Sequence, residues 1–245
     1  MKFLRTIFGF IWAIWGILIF ILTMLFVLVP LWLTNGQAEP RRTISFIRIS
    51  RRWMGVYLPL IGCPLTIRGR EYFRPGENYV VVCNHNSLMD VPVSTPGIPG
   101  GNKTIAKAEM AKIPLFGIIY QRGSVLVDRK SDSSRKESFS KMRAVLDSGL
   151  HMCIYPEGTR NKSKDPIASF HDGAFKLSVD SGKSIIPTLM FYTKTVLPSG
   201  RGFYLWPHRL YMHFLPPVSP EGETVQSLRQ KVFEQMTTYY TTHHP

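Results

Sequence analysis

Residues 7 to 33, IFGFIWAIWGILIFILTMLFVLVPLWL, form an apolar run with no ionisable side chain. The run exceeds the roughly 20 residues that a helix needs to cross a bilayer and predicts a membrane-anchoring helix. A cleaved signal peptide would carry an apolar core of only about 7 to 15 residues and a small-residue cleavage site, so the segment is expected to be retained. In the next stretch, RRTISFIRISRRWMGVYLPLIG at 41 to 62, arginines interleave with Ile44, Phe46, Ile47, Ile49, Trp53, Met54, Tyr57 and Leu58. That mixture fits an amphipathic helix at a membrane interface and equally a core helix with a basic outer face.

From residue 64 the period changes. Short β-branched runs predict strands at PLTIRG, NYVVVCN, NKTIAK, GSVLVD, HMCIYP, KSIIPTLMFY, GFYLW and RLYMHFL. Phe139, Met142, Val145 and Leu146 recur at helical spacing between Asp132 and Gly149; Asp132 or Ser133 can cap that helix and Gly149 can end it. Further helices are expected over 173–181 and about 221–240, and loops over 91–101 and 161–169. This alternation predicts an α/β fold whose central sheet is covered by flanking helices. A chain of 245 residues buries one sizeable core, so the expected division is an anchoring part over 1–62 and a globular domain over 63–245.

The net charge of +14 matters through its placement. Before residue 71 the only acidic residue is Glu39, against Lys2, Arg5, Arg41, Arg42, Arg48, Arg51, Arg52, Arg68 and Arg70. A cationic collar beside an apolar anchor fits anionic phospholipids, and no nucleic-acid-binding motif accompanies it. More basic residues follow the apolar run than precede it, which puts the part after residue 40 on the cytoplasmic face, in a bacterium that of the inner membrane. A re-entrant or interfacial anchor satisfies the same pattern. Cys63, Cys83 and Cys153 lack CxxC spacing, so neither a disulfide scaffold nor a zinc site is expected. No metal is expected elsewhere either, since the histidines lack an acidic cluster at ligand spacing. The terminal HHP reads as a frayed tail.

Candidate chemistry lies in two strings. In NHNSLMD, the strand YVVVC delivers His85 to the strand's C-terminal end, where α/β sheets bind ligands. With Ser87 capping a following helix, the Asp90 carboxylate reaches back toward the helix start and can meet the imidazole. In a continuous helix the two residues would diverge by about 140 degrees, so a turn between them is required. An imidazole oriented by a carboxylate can take a proton from an alcohol. The same pair also serves as a buried histidine beside a capping aspartate. In YPEGTR, Gly158 suits a turn, Arg160 presents the planar fork that binds phosphate, and Glu157 can accept from a ligand hydroxyl or pair with Arg160. No serine occupies a G-x-S-x-G elbow, which argues against an acyl-enzyme hydrolase.

The stretch KAEMAKIPLFGIIYQRGSVLVDR at 107 to 129 lies between the two strings. NHNSLMD, this stretch, YPEGTR and IIPT at 185 to 188 resemble, in order and spacing, the four blocks of the glycerolipid acyltransferase family. The resemblance covers about residues 80 to 190. It implies a mixed central β-sheet and an acyltransferase domain in which His85 deprotonates an acceptor hydroxyl and Asp90 orients the imidazole. It further implies that Glu157, Gly158, Thr159 and Arg160 bind the acceptor headgroup with help from Arg129, and that Lys107 stabilises the oxyanion or contacts phosphate. The implied reaction needs no cofactor: acyl-CoA or acyl carrier protein donates the chain to the sn-2 hydroxyl of lysophosphatidic acid, yielding phosphatidic acid without a covalent intermediate. Two rivals remain, namely the same chemistry on glycerol 3-phosphate, another lysophospholipid or a lyso-aminolipid, and a non-catalytic membrane adaptor. His171, where relatives often carry lysine, and Asn161, where serine is usual, put the headgroup or donor preference in question.

Overall fold

A computed structural model describes residues 2–128, 132–163 and 165–245, without the side chains of Lys2, Asp132, Arg135 and Lys136. The chain opens with helices α1 (Lys2–Leu33) and α2 (Arg41–Leu60). It then alternates through β1 (Leu65–Arg68), β2 (Val80–Cys83), α3 (Asp90–Gly97), β3 (Asn102–Lys107), α4 (Phe116–Arg122), β4 (Ser124–Val127), α5 (Asp132–Asp147) and β5 (His151–Ile154). The last elements are α6 (Gly173–Ser181), β6 (Ile185–Phe191), α7 (Thr193–Val196), β7 (Leu210–Phe214) and α8 (Val225–Thr242).

The strands form one sheet in the order β1-β7-β6-β2-β5-β3-β4. β6 and β7 pair antiparallel and every other neighbouring pair is parallel, which makes the sheet mixed. Central strands covered on both faces must be apolar at every position, and β2, β5 and β6 are buried throughout. Their side chains alternate between two cores. Val81, Cys83, Cys153, Ile186 and Met190 pack toward α1, α2 and α3. Val80, Val82, Met152, Ile154, Leu189 and Phe191 pack toward α5, α6 and α8. As the strand reading implied, Cys83 is a buried strand residue; it lies 3.8 Å from Cys153 sulfur to sulfur.

α1 is long and apolar enough to cross a membrane, about 48 Å at 1.5 Å per residue over its 32 residues. One flank nevertheless lies against the domain along most of that length. Phe8 packs edge-on against Trp206, the Trp12 and Trp15 indoles donate to the carbonyls of Ile61 and Leu60, and the Trp53 indole donates to Thr23 Oγ1. Near its end, Arg122 donates to the Leu31 carbonyl. Gly9 permits the closest approach, since a Cβ there would fall 2.1 Å from the Tyr204 ring. The opposite flank, with Phe3, Phe10, Ile11, Leu18, Leu22, Phe26 and Trp32, is exposed. α2 buries Phe46, Ile47, Trp53, Met54, Tyr57 and Leu58 in the core shared with α1 and the sheet, and it exposes Arg41, Arg48 and Arg52.

Two expectations need correction. GFYLW is no strand: its backbone is irregular, and Tyr204, Leu205 and Trp206 form the bed on which α1 rests, with the Leu205 amide donating to the Gly9 carbonyl. Residues 91–101 are no simple loop, because α3 occupies 90–97 despite Pro92 and Pro96. Tertiary contacts outweigh the poor helix propensity there: Arg51 of α2 donates to the carbonyls of Pro96 and Ile98 at the helix's end.

Candidate active site

β2, β3, β4, β5 and β6 run parallel, so their C-terminal ends share one edge of the sheet. NHNSLMD leaves β2 at that edge, Lys107 ends β3, PEGTR follows β5, and Tyr192 follows β6. The four separated sequence blocks therefore converge because of strand direction, and the order β6-β2-β5-β3 sets the first block between the fourth and the third.

The chain turns sharply after Cys83. Asn84 clamps the turn to β6, its side chain donating to the Met190 carbonyl and accepting from the Met190 amide. Asp90 begins α3 and reaches back over the turn: Oδ2 accepts from the amides of Asn86 and Ser87 at 2.6 and 2.8 Å and meets His85 Nδ1 at 2.8 Å. A carboxylate facing Nδ1 selects the tautomer with the proton on that nitrogen, leaving Nε2 as the basic atom. The Asp90 side chain is 1% exposed and that of His85 17%, so the carboxylate is sealed while the imidazole stays reachable. Ser87 Oγ accepts from the Met89 amide and donates to the Leu197 carbonyl, and Ser199 Oγ donates to the Asn86 carbonyl, which fixes the turn from the far side.

The third block supports the same turn from beneath. Tyr155, one residue past β5, stacks on the His85 ring with centroids 4.4 Å apart, and its hydroxyl hydrogen-bonds to Ser94. Glu157 is 5% exposed, and its two oxygens accept from the amides of His85 and Ala168 at 2.6 and 3.0 Å. Burial pushes its carboxyl up to about 7 against the pull of those amides, and the negative charge of Asp90 adds to the rise. Glu157 thus joins the two blocks through backbone groups, with neither an Arg160 pairing nor an open hydroxyl partner among the described residues. Next to Arg160, the Asn161 amide donates to the His85 carbonyl at 2.6 Å. Arg160 itself is half-buried and makes no hydrogen bond or ion pair among the described residues. Gly158 adopts φ +69, and a Cβ there would lie 2.8 Å from the His171 ring. The two residues expected to depart from the resembled pattern both border this turn: His171 covers Gly158, and the Asn161 side chain accepts from Ser163 and donates to the Asp165 carbonyl.

Of the remaining expected residues, Thr159 and Lys107 are exposed at this edge. Arg129 lies outside the described residues. No group of metal-binding side chains occurs among the described residues. Beside Asn86 opens a cleft of about 380 Å³ lined by Asp165, Pro166, Tyr192, Lys194, Tyr240 and His244. The terminal histidines are not a loose tail: His243 stacks on Tyr239 at 4.1 Å, and the His244 ring packs against Tyr192 and Tyr240. The Glu157 clamp and the Tyr155 platform escaped sequence reasoning. Both depend on β5 lying next to β2, a pairing of strands distant in the chain.

The Acyltransferase family model matches residues 64–190, more than half of the 245-residue chain. The chain belongs to the acyltransferase family. Within the family it is 31% identical over 186 residues to mouse (Mus musculus) 1-acyl-sn-glycerol-3-phosphate acyltransferase alpha, covering 74% of this chain and 65% of that protein. It spans just under two thirds of that relative's length. Identity to the 1-acyl-sn-glycerol-3-phosphate acyltransferase of Haemophilus influenzae is 24% over 188 residues, 76% of each chain. The fold matches the crystal structure of the 1-acyl-sn-glycerophosphate (LPA) acyltransferase PlsC from Thermotoga maritima, with a TM-score of 0.78 and 22% identity over 97% of this chain and 95% of that one. The family match spans β1 to β6 and so contains all four blocks.

Proposed function

We propose that this chain transfers a fatty acyl group from an acyl thioester, acyl-CoA or acyl carrier protein, to the sn-2 hydroxyl of 1-acyl-glycerol-3-phosphate. The observation that carries this reading is the Asp90 carboxylate, which holds His85 through Nδ1 while two backbone amides hold the carboxylate. His85 Nε2 takes the acceptor's hydroxyl proton as the oxygen attacks the thioester carbonyl, and Asp90 stabilises the imidazolium. The tetrahedral intermediate collapses, the carbon–sulfur bond breaks, and the imidazolium returns its proton to the leaving thiolate. A thioester needs only a positioned base and an oxyanion site, and general-base help is worth about 100- to 10,000-fold.

Arg160 has no internal partner among the described residues, which suits it to bind the acceptor phosphate through paired hydrogen bonds. Lys107 supplies a second cation at the same edge, for oxyanion or phosphate. Gly158 and Thr159 shape the headgroup turn. Glu157 is a positioning residue, because it acts through the His85 backbone. The exposed flank of α1 faces lipid and the basic face of α2 faces anionic headgroups, so a lysolipid meets His85 without leaving the membrane. The domain then stands on the cytoplasmic face, where acyl thioesters are available.

Purified protein is offered lysophosphatidate, glycerol 3-phosphate, neutral lysolipids and a lyso-aminolipid with acyl-CoA or acyl carrier protein, and thiol release and product mass are measured together. Turnover is expected with lysophosphatidate and lost in His85→Ala with folding retained. Turnover confined to a neutral lysolipid refutes the acceptor; no turnover with any pair refutes the reaction.

A further inference from the structure

At the opposite edge of the sheet from His85, a second cleft opens at the elbow between α1 and α2. Its volume is about 260 Å³, and Arg42, Lys103 and Arg122 line it with Thr43, Gln121 and a single carboxylate, Glu39. Lys103 sits near the start of β3, whereas the candidate active site gathers at the strand's end. The two sites are separate.

Three guanidinium or ammonium groups therefore line a cleft that holds one carboxylate, and that carboxylate is saturated by two of them together with Thr43. Glu39 Oε1 accepts from Lys103 Nζ at 3.0 Å and from Arg42 at 3.4 Å, while Oε2 accepts from the Thr43 amide and hydroxyl. Burial opposes its ionisation, but the bonds from Thr43 and Lys103 and the charge of Lys103 outweigh it and lower the carboxyl to about 2. It is a full anion at neutral pH, and the cleft still carries two positive charges in excess. Arg122 gets none of it. The Arg122 guanidinium donates to the Leu31 carbonyl, Thr34 Oγ1 and Asn35 Oδ1, all neutral acceptors. Burial and the nearby charge of Arg42 both work against its charged form. Closing the end of α1 accounts for the position of Arg122. Glu39 draws Arg42 and Lys103 together, but its single negative charge offsets only one of the three positive charges, and the excess repels itself unless a further anion enters the cleft.

The surroundings indicate where such an anion comes from. Val29, Trp32 and Leu33, at the end of α1, are 63%, 70% and 69% exposed. An apolar helix end beside a cationic cleft matches the boundary between acyl chains and headgroups, where exposed tryptophan also prefers to sit. We propose that the elbow cleft binds the phosphate of an anionic lipid headgroup through Arg42, Lys103 and Arg122, as a membrane-docking site distinct from the active site. Arg42 and Lys103 reach it by sharing their hydrogen bonds between Glu39 and the phosphate, and Gln121 offers a further polar contact.

The test is binding of the full chain to phosphatidylcholine vesicles with graded phosphatidylglycerol, a readout independent of the acyl-transfer reading. Arg42 is 43% exposed at its side chain and outside the catalytic machinery, so its variants are expected to fold and to keep turnover on detergent-dispersed substrate. Arg42→Gln should weaken binding to phosphatidylglycerol-rich vesicles about tenfold or more, as loss of a charge-assisted phosphate contact does. Arg52→Gln, on the exposed face of α2, removes the same charge and should cost no more than about fivefold. Arg42→Lys keeps the charge without the planar fork and should fall between the unsubstituted chain and Arg42→Gln. Equal losses in Arg42→Gln and Arg52→Gln, or an Arg42→Lys protein that binds as the unsubstituted chain does, would overturn the site in favour of diffuse attraction. Inorganic phosphate at constant ionic strength should leave the vesicle-bound fraction unchanged. If it displaces the protein while chloride does not, the cleft is a free-phosphate site and the lipid assignment fails.

Discussion

Replacing Asp90 by asparagine isolates the charge at the centre of the proposed mechanism. Oδ2 of Asp90 takes three hydrogen bonds, from the Asn86 and Ser87 amides and from His85 Nδ1. An asparagine oxygen in that place keeps the two amide bonds, so the turn and the start of α3 stay in position. What disappears is the negative charge facing an imidazole that becomes positive during proton transfer. Two unit charges about 4 Å apart interact by about 4 kcal/mol at an effective dielectric constant of about 20. If that stabilisation is present only in the transition state, kcat falls about a thousandfold while KM for the acceptor changes little. The assay follows thiol release from acyl-CoA with lysophosphatidate, alongside thermal unfolding to confirm the fold. His85→Ala should lose at least as much, and the double variant should be little worse than His85→Ala, because the carboxylate acts only through the ring. An Asp90→Asn enzyme that folds cooperatively and keeps kcat within tenfold would show that the pair does not drive the reaction. Fully multiplicative losses in the double variant would contradict it equally.

Two further outcomes follow from the same geometry. Arg160→Ala should raise KM for lysophosphatidate about ten- to hundredfold, the value of a charged hydrogen bond, with stability changed by less than about 0.5 kcal/mol, and Arg160→Lys should recover only part; unchanged saturation kinetics would remove Arg160 from the headgroup site. Glu157 has a folded value of about 7 against an ordinary 4.5, so its contribution is complete below pH 4.5 and is lost as pH rises through 7, about 3 kcal/mol in all. Burial lowers His151 from 6.5 to about 4, and its contribution runs the other way, complete above pH 6.5 and lost as pH falls through 4. Glu157→Gln removes only the first slope. Its unfolding temperature should therefore gain on the unsubstituted protein between pH 4.5 and 7, and a constant difference across that window would exclude the strained carboxylate.

Much of this molecule was legible along the chain because the relevant physics is local. The apolar run of α1, the helical spacing of Phe139, Met142, Val145 and Leu146 in α5, and seven of the eight expected strands rest on hydrophobic periods that survive folding. The His85–Asp90 contact was accessible for the same reason, since five residues and one turn contain it. Strand order was not, because pairing β2 with β5 joins segments some seventy residues apart and no local preference encodes the choice. That choice placed Tyr155 beneath His85, and it set Glu157 against the His85 amide, a contact that no local pattern encodes. It was tertiary packing, too, that made a helix of the proline-bearing segment after Asp90, laid α1 against Tyr204 and Leu205, and brought Arg42, Lys103 and Arg122 to one cleft. Sequence determines which groups are present and how each short segment can bend. Which groups face one another is decided only when distant segments share a core, because burial is non-directional and the sheet alone supplies the geometry.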